Sequence, residues 1–389
     1  MMNEPVVTAA TFTNHPAATN HYNSLPPTVA EFFAGIGLMR MGLERAGWSV
    51  EFANDIDPKK WQMYATNYPA NHFVLGDIHL IDPATVPTVT LATASFPCTD
   101  LSLAGGRAGL AGAQSGAFWG FLNILKGMET RRPPIVLLEN VPSFLTSHGG
   151  QDFHRAMCAL NDLGYAVDAV IIDAAWFVPQ SRQRLFVIAV QQELPIEVKT
   201  DTFLSKLRPK ALTSFISSHL DINWRLRVLP ELPSGSATLD EILEDLPANA
   251  SEWWDEKRSM YLLSQMSDRH REVAEKMIAN DKLSYGTVFR RTRNGVYVAE
   301  LRSDGIAGCL RTPKGGSSQQ ILIKAGFGTV SVRNLTPREC ARLMGAEEYV
   351  IDVPRNQALF GFGDAVCVPV VEWISRNYLM PLLVEMNDG

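Results

Sequence analysis

The sequence predicts an α/β protein, a mostly parallel Rossmann-like sheet flanked by helices and followed by a region of different character. Three observations carry that expectation. Between residues 28 and 189, short apolar runs alternate with longer amphipathic ones, as in successive βαβ units. A glycine turn, Phe33-Ala34-Gly35-Ile36-Gly37, stands between a strand pattern and a helix pattern. Beyond Pro195 the periodicity turns first helical and then β-prone, with Gly and Ser interspersed.

Residues 1–26 read as a mobile tail with neither the basic start nor the apolar block of a secretory signal. Strands are expected over 29–33, 49–53, 91–94, 135–138, 167–172 and 185–190. Between the first two, Leu38, Met39, Met41, Leu43 and Ala46 fall at helical spacing, and Gly47 stops the helix. Thr238 and Glu241 match a capping box that opens a helix through Leu246. A longer helix is expected over 251–278, another over 335–344 and a last amphipathic one over 366–379. The expected divisions fall between a sheet domain over 27–194, a second region over 195–332, a short segment over 333–356 and a helical segment over 357–389.

Composition narrows the class. The 389 residues are 46% hydrophobic and 20% charged, which excludes wholesale disorder. No run of about 18 uninterrupted apolar residues occurs, so no membrane span is expected. Five scattered cysteines suit a reducing cytoplasm better than a disulfide framework. Net charge is −6, yet ten basic residues against two acids over 282–338 make that stretch +8 and leave −14 for the rest. Such asymmetry suits a polyanion-binding face on an acidic body.

The glycine turn would bring backbone close to a ligand at the end of a parallel strand. A pyrophosphate fingerprint would need a third glycine at position 40, which is Arg40. Asp55, at the end of the second strand, can accept from ribose hydroxyls, and Asp77 follows a third candidate strand. A nucleoside without a pyrophosphate, such as S-adenosylmethionine, fits better than a nicotinamide dinucleotide.

Three further groups end or precede strands: Ser95-Phe96-Pro97-Cys98, Glu139-Asn140-Val141, and Gln180-Ser181-Arg182-Gln183-Arg184. In an extended segment Arg182 and Arg184 point the same way. Together they suit one chemistry. Carbon-5 of cytosine is a poor nucleophile until a thiolate adds at carbon-6. The charge that develops on N3 and O2 then needs an acid and a guanidinium, and Glu139 can be that acid if desolvation raises its pKa.

These residues, in this order, resemble the bacterial DNA (cytosine-5)-methyltransferase family. FAGIG resembles its first motif, Asn54-Asp55-Ile56-Asp57 the second and Gly76-Asp77-Ile78 the third. Phe96-Pro97-Cys98, Glu139-Asn140-Val141 and Gln180–Arg184 are similar to its FPC, ENV and QxRxR motifs. Arg333-Asn334-Leu335-Thr336-Pro337-Arg338-Glu339 and Gly363-Asp364-Ala365-Val366 are similar to the last two. The resemblance implies a methyltransferase sheet with an inserted target-recognition domain, S-adenosylmethionine as methyl donor and a flipped cytosine in double-stranded DNA as substrate. It implies Cys98 as nucleophile, Glu139 at N3, Arg184 at O2 and Arg182 in support. Phe33, Gly35, Gly37, Asp55, Ile56, Asp77, Pro97, Asp364 and Ala365 would line the cofactor site. Within the insert, Arg290, Arg291, Arg293, Arg311, Gly315, Gly316 and Ser317 are the candidate DNA contacts. A cytoplasmic monomer is expected, with a restriction endonuclease as a genetic rather than physical partner. Thr99 and Asp364 depart from the family's usual Gln and Asn. The same chemistry on RNA, a non-catalytic DNA-binding relative and a nicotinamide dehydrogenase are the rival readings. No metal is expected: His154 and Cys158 lie four apart on a helix pattern but lack a second ligand pair.

Overall fold

The computed structural model describes residues 26–97, 116–191, 205–235, 237–293, 295–312 and 319–388. The expected N-terminal tail, Cys98, Thr99, Gly315, Gly316 and Ser317 lie outside the described residues, as does the side chain of Arg293. The first half of the chain runs β1 (Thr28–Phe32), α1 (Leu38–Arg45), β2 (Ser49–Asp55), α2 (Pro58–Asn67), β3 (Phe73–Leu75) and β4 (Leu91–Ala94). It continues with α3 (Ala117–Gly127), β5 (Ile135–Asn140), α4 (Gln151–Asp162), β6 (Tyr165–Asp173) and β7 (Gln183–Gln191). These strands form a seven-stranded sheet in the order β3-β2-β1-β4-β5-β7-β6. Strands β1 to β5 pair in parallel, whereas β7 runs antiparallel between β5 and β6. Strand order reverses between β1 and β4, the kind of switch point where such sheets bind ligands.

Alternating side chains give this sheet two buried faces. Val29, Leu137, Phe186 and Ile188 pack toward α1 and the C-terminal helices. Ala30, Phe32, Val136 and Leu138 pack toward Phe118 and Phe121 of α3 and Phe153 of α4.

After the sheet come α5 (Lys210–Ser218), α6 (Glu256–Ser264), α7 (Asp268–Ala279), β8 (Ser284–Arg293), β9 (Val296–Arg302), β10 (Ile321–Gly326) and β11 (Thr329–Asn334). The chain closes with α8 (Pro337–Leu343), α9 (Arg355–Asp364), α10 (Val368–Ile374) and α11 (Met380–Asp388). Strands β8 to β11 make a second, antiparallel sheet in the order β11-β10-β8-β9. One face of it forms a separate core with α6 and α7, built from Leu262, Met277, Val288, Ala299, Ile323 and Val332.

Several boundaries differ from the sequence reading. The change of pattern at Pro195 marks the exit from the sheet, not from the body. Arg208 forms a buried ion pair with Asp168 of β6 at 2.7 Å, and Leu212, Phe215 and Trp224 join the large core. The independent core begins only near Leu262. The Thr238 capping box closes only a short turn over Leu239–Ile242, after which Leu243 is extended. The expected 251–278 helix is two helices, the first opened by Asp255 accepting from the Arg258 amide at 2.7 Å. The last helix starts at Val368, because the backbone at Ala365 and Cys367 is extended. The helical stretch Arg355–Asp388 is apolar enough to cross a membrane by length and composition, but its most apolar part is 67% buried inside the fold. Trp48 Nε1 donates to Ser375 Oγ at 2.7 Å and ties this return to the first βα unit.

Candidate active site

The glycine turn lies at the tip of β1. Phe33, Gly35 and Gly37 all have positive φ. Gly37, at φ 84°, is also crowded: a Cβ there would lie 2.5 Å from the Tyr68 ring. Asp55, at the tip of β2, accepts from the Gly35 amide at 2.8 Å and from the Asp57 amide at 2.9 Å. Each of its oxygens keeps a second lone pair for a hydroxyl. The next residue, Ile56, is 65% exposed, an apolar platform beside that carboxylate. Asp77 caps the turn after β3 through Oδ1, accepting from the His79 amide at 3.0 Å.

Asp364 ends α9 and pairs with Lys60 of α2 at 2.9 Å. Burial would lower the Lys60 pKa, but Asp364, Asp55 and Asp57 outweigh it and raise it above the ordinary lysine value. The extra negative charge of Asp364, where the family usually has Asn, is thus balanced locally. A cavity of about 280 Å³ opens beside the pair, lined by Asp57, Lys60, Met63, Pro354, Gln357 and Phe360.

The second half of the site lies at the tips of β4, β5 and β7. Glu139 continues the inward stripe of Ile135 and Leu137, and Arg184 that of Phe186 and Ile188, so both project from one face of the sheet. Arg184 Nε lies 2.9 Å from Glu139 Oε1. Burial raises the Glu139 pKa, opposed by the charges of Arg184 and Arg182 and by a hydrogen bond with Ser95. Asn140 Nδ2 donates to the Phe96 carbonyl at 3.1 Å and fixes the segment ending at exposed Pro97. Cys98 follows directly in the chain.

Arg182 is placed differently from its neighbour. Its guanidinium is buried and donates to the carbonyls of Leu310 at 2.9 Å, Gly363 at 3.1 Å and Ala365 at 2.5 Å. It therefore positions the segment near Leu310 and the Gly363-Asp364-Ala365 turn from behind the site. Gln180 works alongside it, its Oε1 accepting from the Leu310 amide at 3.0 Å and its Nε2 donating to the Leu343 carbonyl at 2.7 Å.

Sequence reasoning passed over Cys309. Its sulfur lies 3.3 Å from Arg182 Nη1 and is hydrogen-bonded with Arg184. Burial pushes the thiol pKa up, but Arg182, Arg184 and Arg311 more than reverse this, leaving it below the ordinary value. Nothing local in the sequence could signal this, because Cys309 and Arg182 are 127 residues apart.

The candidate DNA contacts do not form one row. On β8, Arg290 shares a face with Val288, whose side chain lies in the core against α6 and α7. Phe289 and Arg291 take the other face, where Tyr285 packs against the large core. The Phe289 ring carries two guanidinium groups, Arg291 at 5.4 Å and Arg311 at 5.1 Å from its centroid.

A seven-stranded sheet with a glycine turn at the tip of β1 and a buried carboxyl–guanidinium pair at the tips of β5 and β7 has the architecture of the α/β methyltransferase fold. The chain belongs to the C-5 cytosine-specific DNA methylase family, whose profile matches residues 28–379, and it is a DNA cytosine-5 methyltransferase. Type II methyltransferase M.NlaX of Neisseria lactamica is 29% identical over 356 residues, covering 90% of this chain and 95% of the relative. M.NgoBI of Neisseria gonorrhoeae is 26% identical over 344 residues, covering 88% and 90%. Among solved structures, the S. pombe Dnmt2 methyltransferase shares the fold with a TM-score of 0.58 at 19% identity, over 92% of this chain and 98% of that one.

Proposed function

We propose that the enzyme takes a cytosine rotated out of duplex DNA and methylates its carbon-5 through a covalent bond between Cys98 and carbon-6. The Glu139–Arg184 pair carries this reading: a desolvated carboxyl with a raised pKa held 2.9 Å from a guanidinium. The Cys98 thiolate adds to carbon-6 while Glu139 gives its proton to N3 and Arg184 holds O2, so the ring becomes an enamine nucleophilic at carbon-5. Asp55, Ile56 and the glycine turn fit the ribose and adenine of S-adenosylmethionine, with Asp77 toward the adenine and Asp364 and Ala365 on the opposite wall. When bound, S-adenosylmethionine supplies an electrophilic methyl group. Loss of the carbon-5 proton and expulsion of the thiolate, with the N3 proton returning to Glu139, complete the cycle.

Rotating the base out costs a few kcal/mol of stacking and pairing, which protein contacts must replace. Arg291 and Arg311, both over the Phe289 ring, are the candidate phosphate contacts, Arg291 exchanging its Glu300 partner at 3.1 Å for DNA. The enzyme acts in a bacterial cytoplasm as a monomer, marking DNA against a companion restriction endonuclease. Duplex DNA containing 5-fluorocytosine tests the mechanism, because fluorine cannot leave as a cation. The wild type should form a denaturant-stable protein–DNA adduct and Cys98→Ser should not. An active wild type that forms no adduct overturns the thiolate route.

A further inference from the structure

The fold adds a third ligand to His154 and Cys158 that the sequence around them did not show. On α4, His154 and Cys158 are four residues apart and share one helix face. The turn after α5 brings Asp221 against them: His154 Nε2 lies 2.6 Å from Asp221 Oδ2 and 3.6 Å from Cys158 Sγ. All three ligand atoms lie within 4.8 Å of one another. His219 lies beside the group but not within it, its ring centroid 5.0 Å from that of His154. It is stacked on Phe215 at 4.0 Å, with Nδ1 2.9 Å from the Phe215 carbonyl.

We propose that His154, Cys158 and Asp221 bind a divalent transition metal of the zinc type, with water in the fourth position. Tetrahedral zinc, with bonds of about 2.3 Å to sulfur and about 2.0–2.1 Å to nitrogen, requires a sulfur–nitrogen edge of about 3.5 Å. The His154–Cys158 separation of 3.6 Å already meets it. The His154–Asp221 contact is that of a hydrogen bond and must open to about 3.3 Å, which costs little because the Asp221 side chain is 59% exposed. Mixed nitrogen, sulfur and oxygen donors favour zinc or cobalt over calcium or magnesium. Binding replaces the Cys158 thiol proton with the metal and releases that proton to solvent, so affinity rises with pH. The site lies on the outer side of α4, away from the Glu139–Arg184 pair, and would pin residues 219–221 to the large domain. It is independent of the methyl-transfer reading.

The test is cobalt(II) titration of the chelator-stripped full-length protein, read by the thiolate-to-cobalt charge-transfer absorption. One equivalent should produce the band. Cys158→Ser should abolish it, while Cys98→Ser and Cys309→Ser should retain it. Asp221→Asn, a change at an exposed side chain that leaves folding intact, should weaken binding at least tenfold and remove the zinc-dependent rise in Tm. Absence of the band in the wild type, or its persistence in Cys158→Ser, overturns the proposal. So does unchanged affinity in Asp221→Asn, which would leave His154 and Asp221 as a simple ion pair.

Discussion

Two arginine–carboxylate pairs, both withdrawn from water, are built to opposite ends. Between β11 and α8, Glu339 and Arg333 are 0% and 1% exposed. Glu339 is saturated, accepting from both Arg333 terminal nitrogens, from the Thr336 amide at 2.8 Å and from the Glu244 amide at 2.9 Å. At the strand tips, Glu139 has Arg184 and Ser95, and desolvation prevails over them. The two carboxyls thus differ in their donors: Glu339 is bonded on every side as structural glue, whereas Glu139 has fewer partners and burial raises its pKa. Glu31 is the extreme: fully buried and with no side-chain hydrogen-bond partner among the described residues, it is pushed up to about 8 by burial despite the charge and backbone amide of Arg40.

Substitutions can break that contrast. Glu339→Gln strands the Arg333 charge and should cost about 3–5 kcal/mol of stability in urea unfolding. A loss under about 1 kcal/mol would mean the Arg333–Glu339 pair is no more structural than the other. Glu139→Gln should leave stability nearly unchanged but slow single-turnover methylation about 10²–10³-fold, the usual penalty for losing one preorganised proton or hydrogen-bond donor. Because the Glu139 pKa is raised, the wild-type chemical step should slow as pH climbs through it, and the variant's rate should not track that loss.

Glu31 gives a stability signature. With its pKa raised from 4.5 to about 8, its favourable contribution is complete below pH 4.5 and lost as pH rises to about 8. Glu31→Gln should therefore gain on the wild type by a few kcal/mol between pH 5 and 8.5, read as diverging Tm values. Parallel Tm curves would show that water or Arg40 already neutralises it. The smallest effect is expected from Asp364→Asn. The Asp364 side chain is 46% exposed, so losing its Lys60 partner should move stability by no more than about 1 kcal/mol in urea.

Sheet and site differed in how far the sequence exposed them. Strands such as 91–94 and 135–138 were legible because they are buried on both faces and read as unbroken apolar runs. Glu139 and Arg184 were legible because a charge beside such a run is conspicuous. Cys309 was not, since its partners, Arg182 and Arg184 around the start of β7, are distant in sequence and leave no periodic trace. The partition of Arg290 and Arg291 to opposite faces follows from strand alternation, but only once β8 is known to be extended. The body's claim on residues 205–232 was hidden because Arg208 and Trp224 bond to β6 across a long sequence gap.

The reversed direction of β7 has a consequence for robustness. Its opening residues, rather than its closing ones, reach the rim where the parallel strands end, so Arg184 arrives while the chain is entering the sheet. A slip of one position along β7 would turn that guanidinium to the far side. Neighbours on both flanks hold the strand in registry, Ile172 opposite Arg184 on one side and Phe186 opposite Glu139 on the other. The arginine's aim is therefore set by main-chain zippering, and surface mutations elsewhere have little leverage to spoil it.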